Sequence, residues 1–478
     1  MATFHLLNFG CRASQADGAA LKRQLLEAGW EEVARAEQSQ IAVLNTCTVT
    51  ATADAEVRQM IRRIHHANPR CRILVTGCYA QRAPGEIAQL PGVAWVVGNS
   101  HKHLIAEVLR NRQEPGVRSQ ESGESGQDKL VQIEEGRPIS GASNPAGNDS
   151  GKGDYGGWAE GQPQMLVGEV GEEFHFAPVY PDDHTRPTLK VQDGCNARCS
   201  FCIIPQVRGR SRSLAPEKVV AQVRALEESG YQEVVLSGIN LGSYGKDLDR
   251  RTTLLELLAR ILAETLLARV RLSSIEAMDI SPRLIHLVAA EPRLAQHFHV
   301  PLQSGCDRIL RLMNRRHRAA QYAERVQAIH AQIPHCGLGA DIMVGFPGET
   351  DLDHQTSLRF IESLPFTYLH VFPYSARPGT PAAARPGQVN GRVIHERGRE
   401  VRALMARKRR AFLEAQIGRT LSVLTLDEVY ENMRAALSSN YLKVALPFSD
   451  LPPNTLLEVS VGRVDEGILY AYQQSPKG

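Results

Sequence analysis

Short apolar runs that alternate with longer amphipathic segments restrict the fold of this chain more than any other feature. In the first hundred residues, these runs are Thr3–Asn8, Ile41–Thr46, Arg72–Thr76 and Ala94–Val97. Amphipathic segments such as Gln15–Ala28 lie between them. Buried strands that alternate with helices of this length are typical of an α/β fold. We therefore predict a doubly wound parallel sheet over residues 1–111.

A second series of strand-like runs begins near residue 186. Its six members are Thr188–Gln192, Glu233–Ser237, Arg269–Ser273, His297–Leu302, Gly339–Gly345 and Tyr368–Pro373. Helical stretches such as Pro216–Ser229 separate them. Because six βα units are too few to close an eight-stranded barrel, the pattern predicts a partial, open (βα)6 barrel over residues 186–415.

Composition changes on both sides of this second series. Residues 112–185 are rich in Gly, Ser, Pro, Glu and Gln, as in Ser119–Gly126, which predicts a flexible low-complexity linker with no chemistry of its own. After Gly418, short β-like runs alternate with turn residues. This alternation of short strands and turns predicts a small antiparallel β-barrel over residues 416–478.

Length and net charge exclude few functions, but they limit the number of domains and the kind of nucleic-acid contact. The 478 residues suffice for about three domains. A net charge of +3 means that any contact with a nucleic acid must come from local basic patches. With no signal peptide and no apolar stretch of about 20 residues, we expect a cytoplasmic protein without a membrane span. The nine cysteines do not indicate a disulfide scaffold in such a chain.

Three of these cysteines, Cys195, Cys199 and Cys202, follow a predicted strand with the spacing C-x3-C-x2-C. One loop with this spacing can supply three thiolates to an iron–sulfur cluster and leave the fourth iron open. Structural zinc is the alternative, but it usually takes four protein ligands, and no fourth Cys or His lies nearby. The ends of parallel strands are also where barrel enzymes carry their chemistry.

Three more cysteines, Cys11, Cys47 and Cys78, each follow a predicted strand of the first domain. Because neighbouring parallel strands end at the same sheet edge, we predict that they meet and hold a second cluster. Gly10 and Gly77 would permit the tight turns of such a site. The alternative is that these are small buried core residues. A structural role is expected for Cys71, Cys306 and Cys336.

With these cysteines in place, the chain resembles the methylthiotransferases of the radical S-adenosylmethionine (SAM) superfamily. The resemblance covers nearly everything except the linker, and the C-terminal module resembles the RNA-binding TRAM domain. Four segments besides the first domain carry it: CNARCSFCIIPQVRGRSRS (Cys195–Ser213), HVPLQSGCDRIL (His299–Leu310), DIMVGFPGET (Asp341–Thr350) and FPYSARPGTPAA (Phe372–Ala383).

Three segments of the first domain, Asn8–Arg12, Asn45–Thr50 and Thr76–Gln81, look closest to one branch of this family. That branch modifies N6-threonylcarbamoyladenosine at position 37 of tRNA. Enzymes that act on isopentenyladenosine-37 of tRNA or on an aspartate of a ribosomal protein remain alternatives. A non-catalytic RNA-binding protein with structural zinc is the alternative from a different class.

The resemblance implies how the two clusters divide the work. The cluster on Cys195, Cys199 and Cys202 would bind SAM and yield the radical that takes hydrogen from carbon 2 of the adenine. The cluster on the other three cysteines would deliver sulfur, and a second SAM would deliver methyl. An electron donor and a sulfur source are then required as partners besides the tRNA anticodon loop, and we expect a monomer. No catalytic group beyond the cluster ligands is expected, because the cofactors supply the difficult step.

SAM also needs polar groups at the ends of the barrel strands, although each candidate has a capping or turn role as its alternative. The candidates are Gly238, Asn240, Ser273, Ser274, Glu276, Gln303, Gly345, Gly348 and Glu349.

Candidates for binding the tRNA backbone are basic residues at two places. Arg208, Arg210 and Arg212 lie just past the cluster loop, and Arg409 and Arg410 belong to a predicted basic helix over Val389–Ala415. A solvated helix face is the alternative for this helix. Three aromatic residues of the C-terminal module could stack on bases or fill its core: Tyr441, Phe448 and Tyr472.

Overall fold

A computed structural model describes residues 2–110, 163–171, 185–447 and 450–473. Most of the predicted linker, as well as Phe448, lies outside these ranges. The described residues form a parallel sheet, a partial barrel and a small closed barrel, in chain order. Within the described ranges, none of the helices combines the length and apolar character that crossing a membrane requires.

The N-terminal sheet is parallel throughout, with the order β2-β1-β3-β4-β5-β6. Its strands are β1 (Thr3–Asn8), β2 (Glu31–Glu32), β3 (Ile41–Thr46), β4 (Arg72–Gly77), β5 (Val93–Val97) and β6 (Gln164–Leu166). Its helices are α1 (Arg12–Glu27), α2 (Ala51–Ala67), α3 (Cys78–Arg82), α4 (Pro84–Ala88) and α5 (Ile105–Arg110). The strand order reverses between β1 and β3, and such a switch point is where open α/β sheets bind ligands.

The central region contains six parallel strands, as the sequence predicts. Its strands are β7 (Thr188–Asp193), β8 (Arg212–Ser213), β9 (Glu233–Gly238), β10 (Arg269–Leu272), β11 (His297–His299), β12 (Gly337–Val344) and β13 (Tyr368–Pro373). Strands β10, β9 and β7 form one sheet, and β11, β12 and β13 form another. Parallel bridges between Val270 and Leu294 and between Ser274 and His299 join the two into an open barrel. The short β8 pairs antiparallel with β7.

Helices cover the outside of this partial barrel. They are α6 (Ile204–Arg208), α7 (Pro216–Glu228), α8 (Leu254–Glu264), α9 (Pro282–Ala290), α10 (Asp307–Leu312), α11 (Ala319–Gln332), α12 (Asp351–Ser363) and α13 (Gly391–Glu414). Leu236, Val270, Phe298 and Ile342 come from four different strands and belong to one buried core with the apolar faces of α7, α8, α9, α11, α12 and α13. Since strand residues alternate between faces, their neighbours in sequence face the barrel interior.

The C-terminal strands close into a barrel with the order β14-β15-β16-β18-β17. They are β14 (Thr420–Tyr430), β15 (Met433–Ser438), β16 (Lys443–Leu446), β17 (Leu456–Asp465) and β18 (Ile468–Gln473). The pairs are antiparallel except that β16 and β18 are parallel.

Two local differences from the sequence prediction have simple causes. Gln164–Leu166, inside the range assigned to a linker, pairs with β5 as an edge strand. A strand of only three residues gives no periodicity above its Gly-rich surroundings. The sequence analysis also missed β15, whose buried residues include two alanines, Ala435 and Ala436, which have weak strand propensity.

A buried ion group joins the closed barrel to the partial barrel. Glu233 is fully buried and accepts from Arg271 Nε at 2.7 Å, with Arg269 Nη1 at 3.5 Å. The same arginines donate to the closed barrel: Arg271 to the carbonyls of Ser439 and Ser438, and Arg269 to Ser422 Oγ. Burial acts to raise the pKa of Glu233, but Arg271 and its neighbouring cations lower it to about 2.

Glu233→Gln should therefore destabilise the protein strongly. Removing the carboxylate leaves buried guanidinium groups without their counter-ion, which typically costs about 3–5 kcal/mol. The midpoint of thermal unfolding should fall clearly below that of the unaltered protein. Glu264→Gln is the matched control, because it removes an exposed i,i+4 pair with Arg260 and should leave the midpoint unchanged. Equal midpoints for the two variants would contradict this role of Glu233.

Candidate functional site

The structure brings Cys11, Cys47 and Cys78 to one edge of the N-terminal sheet. They follow the carboxyl ends of β1, β3 and β4, which are adjacent in the order β1-β3-β4. Cys47 and Cys78 are buried, whereas Cys11 is exposed. Burial raises the pKa of Cys47 to about 12, and the nearby sulfurs of Cys78 and Cys11 add to the rise. Thiolates at this edge therefore need a metal in place of their protons.

Two glycines let the backbone approach closely at this edge. Gly10 has φ +109°, and a Cβ atom there would lie 2.4 Å from Cys47 Cβ. Gly77 has φ +98°, and its Cβ atom would lie 2.3 Å from the carbonyl oxygen of Thr46. Any side chain at either position would push neighbouring strand ends apart. The turns that the sequence analysis expected at these two glycines are present.

The second group of cysteines lies on the loop after β7. The amide of Cys202 donates to the carbonyl of Cys199, and the amide of Ala197 donates to Cys195 Sγ at 3.4 Å. Burial raises the pKa of Cys202 to about 12, and the nearby sulfurs of Cys199 and Cys195 raise it further. As in the N-terminal group, these thiols lie close together and would ionise on binding iron.

Polar atoms without partners surround this loop. Asn240 Oδ1, Ser273 Oγ and Arg315 Nε are buried and have no hydrogen-bond partner in the described residues. Arg315 Nη1 donates to Cys199 Sγ at 3.5 Å, and Arg315 Nη2 forms an ion pair with Glu276. Unsatisfied buried polar groups indicate a missing polar ligand beside the cysteines. Asn240, Ser273 and Glu276 belong to the predicted SAM contacts, and their role stays a prediction.

The other predicted SAM contacts differ from one another in backbone conformation and in their neighbours. Gln303 has a positive φ of 71°, an unusual conformation for a residue with a side chain. Gly238 approaches Gln192, since a Cβ atom there would lie 2.8 Å from Gln192 Oε1. Glu349 is committed elsewhere, because it pairs with Arg397 at 2.8 Å and accepts from the amide of Gly345. Glu349 therefore already has a buried cation as its partner, and its contact with SAM stays a prediction.

Helix α6 connects the two groups of cysteines. Cys78 packs with Ile203 and Val207, and Ile203 directly follows Cys202 in sequence. Arg208, at the end of α6, donates from Nε to Cys78 Sγ at 3.3 Å. The two sets of thiols therefore lie on either side of a single short helix.

Arg208 is also the centre of a buried ion network between the N-terminal sheet and the barrel. Its Nη2 atom donates to Asp17 at 2.8 Å, and its Nη1 atom donates to Asp193 at 3.0 Å. Lys190 binds both carboxylates, and Lys102 lies 3.0 Å from Asp17. Although burial acts to raise it, the pKa of Asp17 lies well below its usual range because these three cations surround it.

The prediction that Arg208 binds RNA is therefore wrong, because its side chain is only 2% exposed. Arg212 is half-buried and donates to the carbonyls of Gly171 and Arg208. Of the other predicted RNA contacts, Arg210 and Arg410 are exposed, whereas Arg409 is half-buried. The sequence could not show which of these arginines are exposed. Arg208, Arg210 and Arg212 lie on an irregular segment, where residues two apart differ in burial.

Three remaining cysteines occupy separate buried places. Cys71 Sγ lies 3.6 Å from Ser39 Oγ, and Cys306 Sγ donates to Asp353 Oδ1 at 3.2 Å. Cys336 is buried in the barrel core. Across the described residues, no three or more His, Cys, Asp and Glu side chains are placed to hold one metal ion. Thiolates that hold a four-iron cluster bind different irons, so they do not converge on a single point.

Two family models match this chain. One, described as the uncharacterized protein family UPF0004, matches residues 3–98. The other, the radical SAM superfamily, matches residues 189–361. The first range contains Cys11, Cys47 and Cys78, and the second contains the cysteine loop after β7.

Curated relatives match over nearly the whole chain. Threonylcarbamoyladenosine tRNA methylthiotransferase MtaB of Aquifex aeolicus is 34% identical over 91% of this chain and 94% of the relative. The enzyme of the same name from Bacillus subtilis is 34% identical over 93% and 90%. tRNA-2-methylthio-N(6)-dimethylallyladenosine synthase of Pelotomaculum thermopropionicum is 32% identical over 90% and 87%.

Among solved structures, the radical SAM methyltransferase TsrM from Kitasatospora setae, with cobalamin and a [4Fe-4S] cluster bound, has a similar fold. Its TM-score is 0.54 at 13% identity, covering 80% of this chain and 77% of TsrM. At this identity the likeness shows the fold alone.

Gly77→Ala should disrupt the N-terminal cysteine group. The added methyl would clash with the backbone of Thr46, so β3 and β4 must separate beside Cys47 and Cys78. We expect a lower thermal midpoint and less iron bound after anaerobic reconstitution.

Gly29→Ala and Gly85→Ala are matched controls for this substitution. Gly29 shares the positive φ but has open space around it, so it reports backbone strain alone. Gly85 has open space and no positive φ. Both controls should bind as much iron as the unaltered protein. If Gly77→Ala also binds full iron, the close approach at Thr46 does not shape this site.

Proposed function

This chain belongs to the tRNA methylthiotransferase family of radical SAM enzymes, and from that premise we propose that it attaches a methylthio group to carbon 2 of N6-threonylcarbamoyladenosine at position 37 of tRNA. Several relatives that span most of the chain are named for this activity. Because another relative is named for dimethylallyladenosine, the choice of base needs support from the site itself.

The observation that carries the proposal is the pairing of two cysteine groups across α6. A reaction that both removes a hydrogen and adds sulfur at one carbon requires two reactive centres within reach of the same atom. Cys78 packs against Ile203, the residue next to Cys202, so the centres are neighbours. An RNA-binding protein with structural zinc would have no need of this arrangement.

The residues present fit two [4Fe-4S] clusters and SAM. Cys195, Cys199 and Cys202 would hold the cluster that binds SAM, and the N-terminal three would hold the auxiliary cluster. When bound, these cofactors supply the radical, sulfur and methyl chemistry that no side chain of the chain can supply. The unpartnered Asn240 Oδ1, Ser273 Oγ and Arg315 Nε would satisfy polar groups of SAM.

The chain's own residues orient the reactants. Arg315 donates both to Cys199 Sγ and to the carbonyl of Pro301, while its ion pair with Glu276 fixes the guanidinium plane. Arg208 holds Cys78 in the same way on the other side. Both arginines are buried, so their positive charges stabilise the negative charge of thiolate-ligated clusters in a low dielectric.

On this proposal, residues 1–111 form the domain that carries the auxiliary cluster, and residues 112–185 form the linker. Residues 186–415 form the radical SAM domain. Residues 416–478 form a TRAM-like module that binds the anticodon arm of the tRNA. The reaction also requires an electron donor and a sulfur source from outside the chain, in the cytoplasm.

Cys47→Ala should abolish methylthiolation while leaving SAM cleavage intact. Losing one of three thiolates removes the auxiliary cluster, so the reconstituted protein should bind about four irons instead of about eight. Mass spectrometry of the tRNA nucleosides should show no methylthio product, whereas 5′-deoxyadenosine should still form.

Cys71→Ala is the matched control, because Cys71 lies at the opposite end of β4. It should retain the full iron content and the product. Full activity in Cys47→Ala would overturn the proposed sulfur chemistry. A product on isopentenyladenosine alone would instead overturn the proposed base.

Arg210 and Arg410 should contribute to tRNA binding through phosphates. Both are exposed, so replacing either by Gln should weaken binding about equally for all tRNA sequences. Each substitution should lower the slope of log K against log salt by about one. The exposed Arg250 serves as the control, and Arg250→Gln should change neither quantity. An unchanged slope in both test variants would place the tRNA elsewhere.

A further inference from the structure

Polar side chains of β11 and β13 form a connected group inside the partial barrel. His297 Nε2 and His299 Nδ1 both lie within 3.0 Å of the Tyr368 hydroxyl. The Tyr368 ring lies over Gly339, where a Cβ atom would be 2.0 Å from the ring carbon Cζ. Tyr441, from the closed barrel, stacks beside His297 with ring centroids 4.5 Å apart. These polar and aromatic side chains differ from the apolar filling of a closed barrel.

Among the described residues, arginines outnumber carboxylates beside these side chains, although Asp341 pairs with His299 at 3.1 Å. Arg186, Arg269 and Arg271 all contact one carboxylate, Glu233. Arg269 and Arg271 are also satisfied by the closed barrel. Arg186 is not, because its Nη1 atom is buried, has no hydrogen bond to any residue that the structure describes, and lies 3.7 Å from Glu233 Oε1.

Arg12 adds a fourth cation to this group. Its Nη2 atom donates to the Tyr441 hydroxyl at 3.3 Å, and it forms no ion pair with a carboxylate of the described residues. Arg12 is the first residue of α1, whose first turn contains no acidic residue. A cation at a helix N-terminus opposes the helix dipole, so this position is unfavourable for stability.

Arg12 and Arg186 are close enough to repel each other. Burial lowers the pKa of Arg186, and the positive charges of Arg271 and Arg12 lower it further. The pKa of Tyr441 is lowered in spite of burial, because Arg12, Arg186 and Arg271 surround its hydroxyl. Positive charge held together in this way is stabilised when an anion binds between the guanidinium groups.

We propose that Arg12 and Arg186, with the Tyr441 hydroxyl, bind the carboxylate of the substrate base's threonylcarbamoyl group. This inference rests on the proposed function and gives it a physical basis for choosing the base. Arg12 directly follows Cys11, and its guanidinium reaches the Tyr441 hydroxyl, so this cation links the auxiliary cysteines to the proposed site. On this inference, the base lies between the two cysteine groups and its N6 substituent is directed toward Arg12 and Arg186.

A backbone phosphate of the tRNA is the other source of an anion with the same chemistry. The two sources differ in one measurable way. Every tRNA has the phosphate, whereas only the modified base has the carboxylate. Arg186→Gln should therefore weaken binding of tRNA with threonylcarbamoyladenosine-37 about tenfold or more. It should leave binding of the same tRNA with plain adenosine-37 unchanged.

The experiment uses the full-length, reconstituted enzyme and both tRNAs, with Arg12→Gln, Arg186→Gln and Arg186→Lys. Arg12→Gln should show the same selective loss, and iron content checks that the neighbouring Cys11 still binds its cluster. Arg186→Lys should recover only part of the affinity, because an ammonium lacks the planar fork of a guanidinium. Arg419→Gln, at an exposed position, is the control and should bind both tRNAs normally.

Equal loss of affinity for both tRNAs would overturn the inference in favour of a phosphate contact or a structural role. Unchanged affinity for both would overturn it as well. The proposed function is tested separately by the product of the unaltered enzyme. If that enzyme methylthiolates threonylcarbamoyladenosine but Arg186→Gln loses no selectivity, the function stands and the carboxylate site does not.

Discussion

The buried ion network around Arg208 fixes the geometry on which the site depends. It joins Asp17 of α1 to Asp193 at the end of β7, so it ties the N-terminal sheet to the barrel beside both cysteine groups. Lys190 and Lys102 complete the network. These five side chains contain three cations and two carboxylates. A thiolate on Cys78, to which Arg208 also donates, would balance the excess positive charge of these side chains. Thiolate ligands of a cluster bound beside Arg208 would therefore compensate the excess positive charge of this interface.

A second buried ion pair limits rotation of the N-terminal sheet about the network at Arg208. Arg377, from the loop after β13, donates to Asp54 Oδ2 at 2.6 Å and to the carbonyl of Thr48. Because Thr48 directly follows Cys47, the contact lies against the auxiliary cysteines. Buried ion pairs contribute little net stability, but breaking one partner is costly. Such pairs specify one docked arrangement, which a reaction between two fixed centres requires.

The sequence predicted the site better where backbone topology determines it than where side-chain packing does. Cys11, Cys47 and Cys78 were found because equivalent positions after parallel strands must meet at one edge. Arg208 was assigned to RNA because an arginine near a cluster loop gives no sign of whether it is buried. Arg315 was missed altogether, since it reaches Cys199 from a distant segment. The strand boundaries were accurate for long apolar runs such as Ile41–Thr46 and failed for the three-residue strand at Gln164–Leu166.

On the proposed carboxylate site, residues beside the barrel would decide which base the same fold accepts. An apolar isopentenyl group placed beside Arg12 and Arg186 would remove water from both guanidinium groups without adding a hydrogen-bond acceptor. A carboxylate in the same place would be bound by two cations and a hydroxyl. A site built to bind a charged group rejects an analogue that lacks it far more strongly than an apolar pocket rejects a slightly different shape. The choice between adenosine derivatives would then depend on residues outside both cysteine groups, and it could change while the radical chemistry stayed the same.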